Sequence, residues 1–140
     1  MISTRLQVRD LMTSGVFAVG VEDDLETVTN LMDDRNIRHA PVVDGAGNLV
    51  GLVTQRDILR TGLGSPGQLP PEAERQARLH LRAGEIMNAD VVTARPDQDI
   101  REAARIMLDN KFGCLPVVEG RMLVGIVTES DFVRLMAAGD

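Results

Sequence analysis

Two four-residue stretches of this 140-residue chain carry side chains at a spacing that could do chemistry: Thr54-Gln55-Arg56-Asp57 and Thr128-Glu129-Ser130-Asp131. Threonine followed three residues later by an acid is a capping box, in which hydroxyl and carboxylate satisfy the free amides of a helix start. Each stretch follows an apolar run, residues 49–53 or 123–127, so each marks a strand feeding a helix. Such a junction aims unpaired N–H groups and the positive end of the helix dipole at whatever lies before it, which suits phosphate. A carboxylate one turn in can accept both hydroxyls of a ribose, as an acidic residue does in dinucleotide-binding folds. Two readings stand side by side: a helix cap and nothing more, or a ligand site that uses the cap.

Other chemistry finds little support. His39, His80 and Cys114 form no metal-ligand spacing, no Gly-rich loop is followed by a lysine, and no nucleophile has an evident base. The expectation is therefore no catalytic residue, no metal and no required cofactor. A lone cysteine closes no internal disulfide and supplies no thiolate zinc cluster.

Fifteen Lys and Arg against 21 Asp and Glu leave a net charge of -6, with no basic surplus to neutralise a nucleic-acid backbone. Trp and Tyr are absent and only Phe17, Phe112 and Phe132 are aromatic, so a flat ligand would lie between aliphatic side chains. The apolar runs are far short of the roughly 18 residues that cross a bilayer, and no charged, apolar signal sequence opens the chain. No nucleic-acid or membrane partner is expected, and a soluble cytoplasmic protein is.

The elements that must position these residues occur twice. Asp10-Leu11-Met12 recurs as Glu85-Ile86-Met87, and Ala40-Pro41-Val42-Val43 as Leu115-Pro116-Val117-Val118, at an offset of 75 (87 minus 12, 116 minus 41). Leu49 to Thr54 and Asp57 recur as Leu123 to Thr128 and Asp131 at an offset of 74, one residue having been lost from the intervening turn. In each copy a β-prone stretch (16–19, 91–94) precedes a helical face: Leu25, Val28, Leu31 and Met32, then Ile100, Ala103, Ala104, Ile106 and Met107. Asp24 and Asp99 are placed to cap these helices, and Glu102 gives Asp99 a capping-box spacing. Two strands and a final helix follow. The order strand-helix-strand-strand-helix predicts an α+β fold of two repeats packed about a pseudo-two-fold axis, since one copy is too small to bury both faces of its sheet. The expected division is residues 1–62, a linker with a helix at 63–82, and 83–140. The charged face of that helix, Glu72, Glu74, Arg75, Arg78 and Arg82, reads as solvated.

The Met-bearing start, the apolar-Pro-Val-Val strand and the Gly-apolar-Val-Thr-x-x-Asp ending, each present twice, resemble a tandem pair of cystathionine β-synthase (CBS) domains, over residues 8–62 and 83–137. The resemblance implies a regulatory module, free-standing here, that pairs into a homodimer, binds adenine nucleotides (AMP, ADP or ATP) or other adenosyl ligands in clefts between the repeats, and signals to a partner protein. It implies that Asp57 and Asp131 hold the ribose diol and that Thr54 and Thr128 contact ribose or phosphate. Arg38 and His39 occupy positions where nucleotide-sensing members place basic groups against phosphate; alone they would read as a surface arginine and a half-buried strand residue. Arg56 adds a cation to the first copy, whereas Gly113, Cys114 and Glu129 stand at the matching positions of the second.

Ala40, Pro41 and Pro116 are candidates for a strand entrance or bulge that frees backbone groups for an adenine edge, or for plain edge-strand residues. Val16, Phe17 and Val91 could flank the ring, in competition with core packing. Met12, Met87, Met32 and Met107 read as core filler. The alternative function is a ligand-free dimerisation scaffold in which the Thr and Asp pairs are only caps.

Overall fold

Apolar runs interrupted by a short polar turn build two antiparallel hairpins, and most of the other elements pack on or beside them. In a computed structural model that describes residues 6–62 and 70–138, the elements run α1 (Val8–Leu11), β1 (Val19–Gly20), α2 (Leu25–Arg35), β2 (His39–Val43), β3 (Leu49–Thr54), α3 (Gln55–Arg60), α4 (Pro71–His80), α5 (Ala83–Ile86), α6 (Ile100–Asn110), β4 (Cys114–Glu119), β5 (Met122–Thr128) and α7 (Glu129–Ala138). The chain divides into two compact units, Phe17–Val91 and Met1–Val16 with Val92–Asp140. The opening segment of each sequence repeat thus belongs to the unit built by the other repeat.

In the Phe17–Val91 unit the strand order is β1-β2-β3, with β1 parallel and β3 antiparallel to β2. Val42 faces Gly51 and Val43 faces Leu49, so Val50 is the extra residue of a bulge. The other unit repeats this in β4-β5: Val117 faces Gly125, Val118 faces Leu123, and Val124 is the extra residue. The bulges lie just past Pro41 and Pro116, which are themselves buried and sit in register with Leu52 and Ile126. The β-prone stretches are shorter as strands than their sequence suggests: only Val19–Gly20 pairs in the first copy, and Ala94 alone bridges Val117 in the second.

Helix α2 buries Leu25, Val28 and Met32, and α6 buries Ile100, Ala103 and Met107, the faces expected from their period. Asp24 caps α2 by accepting from the Thr27 amide at 2.8 Å, which holds its carboxyl below the ordinary value. At α6 the expected Asp99–Glu102 box is not made. Asp99 accepts from Arg101 N at 2.7 Å, while Glu102 instead accepts from the carboxamide of the buried Gln98 at 3.0 Å. A buried amide needs partners more than an exposed helix start does. Both helices end on a left-handed residue, Asn36 and Lys111.

Identical backbone bonds dock the short opening helices. Ala83 N, Gly84 N and Leu25 N bond to Asp23 O, Val21 O and Leu81 O; at an offset of 75, Val8 N, Arg9 N and Ile100 N bond to Gln98 O, Pro96 O and Leu6 O. The next residues extend each hairpin, Asn88 exchanging both backbone bonds with Leu52 and Thr13 with Ile126.

The linker helix forms as α4, but its charged face is not wholly solvated. Arg78 reaches Glu26 of α2 at 2.7 Å and Glu74 at 3.3 Å, and these three side chains are each about one-fifth exposed. With no residue of α4 fully buried, this ion-pair cluster does part of the anchoring that apolar contact does elsewhere. The irregular stretch expected between residues 61 and 71 lies mostly outside the described residues. Among those described, no helix is long and apolar enough to cross a membrane.

Candidate functional site

Both hairpins end in the same junction, a threonine closing the second strand and an aspartate one turn into the following helix. In the Phe17–Val91 unit, Asp57 Oδ2 accepts from the Thr54 backbone N–H at 2.8 Å and from the Thr54 hydroxyl at 2.9 Å. Thr54 Oγ1 in turn accepts from the Asp57 amide at 3.2 Å, completing the box. In the other unit, Asp131 Oδ2 accepts from Thr128 N at 2.8 Å and from the Thr128 hydroxyl at 3.3 Å. The capping box read from the sequence is thus complete at Thr54–Asp57, and at Thr128–Asp131 its carboxylate half is made.

Two arginines that sequence reasoning did not single out complete these clusters. Arg60 lies 3.6 Å from Asp57 Oδ1, and Arg134 bonds Asp131 Oδ1 at 2.6 Å. Both stand three residues after their aspartate on a helix, the spacing at which opposite charges meet, so the signal was present. The Asp57 side chain is 19% exposed and the Asp131 side chain 6%.

The hairpin register brings most of the candidates of the first copy together. His39 pairs across from Thr54, Arg38 O accepts from Gln55 N at 2.9 Å, and Ala40 and Pro41 continue β2 opposite Val53 and Leu52. Arg38, His39, Thr54, Arg56 and Asp57 therefore belong to one end of one hairpin, with Arg38 and Arg56 exposed and His39 half-buried. The corresponding end of the other hairpin has Cys114 opposite Thr128, and Gly113 O accepts from Glu129 N at 3.1 Å. Pro116 contributes its carbonyl, which accepts from Ala94 N at 2.9 Å. Burial pushes the Cys114 thiol up to about 12, so this residue is a small apolar side chain rather than a nucleophile.

Val16, Phe17 and Val91 lie where the chain passes between its two units. Val16 and Val91 are half-buried; Phe17 is 43% exposed, with the Arg35 guanidinium 4.3 Å above its ring. Met12 and Met87 pack against the two apolar cores, and Met32 and Met107 are buried within them, as filler should be. Among the described residues no three His, Cys, Asp or Glu side chains group as metal ligands.

The CBS domain family model matches residues 8–64 and again 83–138. The chain is 32% identical over 134 residues to a CBS domain-containing protein of Dictyostelium discoideum, covering 94% of this chain and 92% of that one. It is 33% identical to an uncharacterized protein of Methanocaldococcus jannaschii, of whose length it spans 32%. Among solved structures, a putative acetoin utilization protein of Vibrio cholerae superposes with a TM-score of 0.82 at 34% identity, over 97% of this chain and 95% of that one. A CBS domain pair in complex with 5′-methylthioadenosine and S-adenosyl-L-methionine gives 0.77 at 28% identity, over 96% and 98%. The CBSX2 protein in complex with AMP gives 0.78 at 26% identity, over 94% and 96%.

Proposed function

This chain belongs to the CBS domain family, and from that premise we propose that it is a regulatory module, not an enzyme, that binds adenosyl ligands through its two Thr-x-x-Asp junctions. The observation that carries the reading is the repetition of one geometry, a threonine and an acid at a strand-to-helix turn at the end of each hairpin. Related pairs are solved with AMP and with S-adenosyl-L-methionine, which supports an adenosyl ligand.

In this reading Asp57 and Asp131 accept the ribose hydroxyls, and Thr54 and Thr128 sit beside ribose or phosphate. Arg38, His39 and Arg56 favour phosphate at the first junction; at the second the cation is Arg134, on Asp131, and Glu129 beside it makes the hold on phosphate the weaker of the two. Ala40, Pro41, Pro116, Val16, Phe17 and Val91 supply strand backbone and apolar contact for the base. The ligand shifts a conformational or assembly equilibrium of a cytoplasmic homodimer and so informs a regulated protein, by no more than its preference for one state.

A ligand-free scaffold is the second reading, favoured by the fact that both aspartates already accept from the N–H and hydroxyl of their threonine without a ligand. A thermal-shift panel of AMP, ADP, ATP, NAD and S-adenosylmethionine separates the two, because a ligand that binds only the folded form raises its Tm. A rise with at least one adenosyl compound is expected. A flat panel at millimolar ligand would leave the scaffold.

A further inference from the structure

The two aspartates differ in what their second oxygen is doing. At Asp57, Oδ1 faces Arg60 at 3.6 Å, beyond hydrogen-bond reach, on a side chain that is 19% exposed. At Asp131, Oδ1 is bonded by Arg134 at 2.6 Å on a side chain only 6% exposed, while Thr128 takes Oδ2 through both its N–H and its hydroxyl. A vicinal diol therefore finds an unbonded carboxylate oxygen at the first junction, and at the second one already held by a cation.

We infer that Arg134 is a specificity determinant that reserves the Asp131 junction for phosphorylated ligands, whereas the Asp57 junction also accepts uncharged nucleosides. The inference rests on the ribose role proposed above for both carboxylates. Adenosine reaching Asp131 replaces a charge-assisted bond with two neutral donors and offers the displaced guanidinium nothing but water. A nucleotide brings its own anion. Arginine pairs with phosphate in a two-pronged geometry, so the same ligand that takes the carboxylate can give Arg134 a new partner. Arg134 is 70% exposed, which leaves its stem room to swing without disturbing the core. Arg60 is equally exposed but holds no short bond that a diol would have to break.

Calorimetric titration of the full chain with adenosine and with AMP tests this in wild type, Arg134→Gln, Arg134→Lys and Arg60→Gln. The expected wild type binds one adenosine and two AMP per chain. Arg134→Gln binds a second adenosine, and the AMP preference of that site falls about tenfold, the scale of one charge-assisted bond; this second event disappears when Asp131→Ala is added. Arg134→Lys keeps a cation and restores the refusal of adenosine, and Arg60→Gln changes neither stoichiometry. Two adenosines of similar affinity in wild type, or still only one in Arg134→Gln, would overturn the inference and leave the proposed function standing. No binding of AMP at all, or binding indifferent to Asp57→Ala with Asp131→Ala, would remove the proposed function and this inference together.

Discussion

The Met87 side chain fills the space in front of Gly51 that any side chain at that position would need. Met12 does the same at Gly125, where an added Cβ would stand 2.6 Å from its sulfur and 3.0 Å from Thr13 O. The methionine that opens each sequence repeat therefore packs on the glycine that closes the other. Glycine at these positions is a matter of close approach, since neither has a positive φ.

Gly51→Ala should consequently destabilise the fold by about 1 to 3 kcal/mol, the usual scale of overpacking, and Gly125→Ala should behave alike. Adding Met87→Ala to Gly51→Ala should recover part of the loss, because the two changes act on one volume. Urea titration measures both, and strict additivity would mean the contact is loose.

Asp57→Ala should have two separable effects. Loss of the cap lowers stability by about 1 kcal/mol, read from a denaturation midpoint. Adenosyl affinity should fall more than tenfold, since the acceptor for the ribose is gone. Lower stability with unchanged affinity would mark Asp57 as a cap alone.

Arg78→Ala should release α4 more than it unfolds the protein. The pair with Glu26 is four-fifths buried, yet α4 has no fully buried residue. Hydrogen exchange of the α4 amides should accelerate at least tenfold while the protection of β2 and β3 is kept. Equal acceleration in both would show α4 to be integral to the cooperative core.

Stability should fall as pH rises above about 9 through the ionisation of Cys114. Burial raises this thiol from 9.0 to about 12 in the folded chain, so between those values the unfolded state has lost a proton that the folded state keeps. Its contribution is fully present below the unfolded pKa and is lost at up to about 1.4 kcal/mol per pH unit. Cys114→Ala should flatten that limb. A thiol reagent should label native protein only on unfolding, and rapid labelling at neutral pH would contradict the burial.

The homodimer proposed above should depend on exposed apolar side chains of α6 and α7, since Leu108, Val133 and Met136 are the three most exposed large apolar residues among those described. Sedimentation should give twice the chain mass at micromolar concentration, and Val133→Glu with Met136→Glu should halve it. A monomeric wild type would leave those side chains unexplained by self-association.

What the sequence by itself determined is what depends on near neighbours. A capping box needs residues three apart, a hairpin two apolar runs and a turn, a helical face a period of three to four, and these were legible for Thr54 with Asp57, for β2 with β3, and for α2 and α6. Duplication made the same signals unmistakable by supplying each twice. Tertiary structure decided what depends on competition between partners. Glu102 sits at capping-box spacing, but the buried Gln98 carboxamide claims it. Glu74 and Arg78 read as solvent-facing until Glu26 of α2 is beside them. Above all, α1 and α5 offer the same backbone bonds and the same methionine to either hairpin, and Gly51 and Gly125 offer the same groove. Because the local contacts are nearly equivalent, no pattern in the chain could say that Met87 belongs to Gly51 and Met12 to Gly125; that exchange is settled only by how the folded chain packs as a whole.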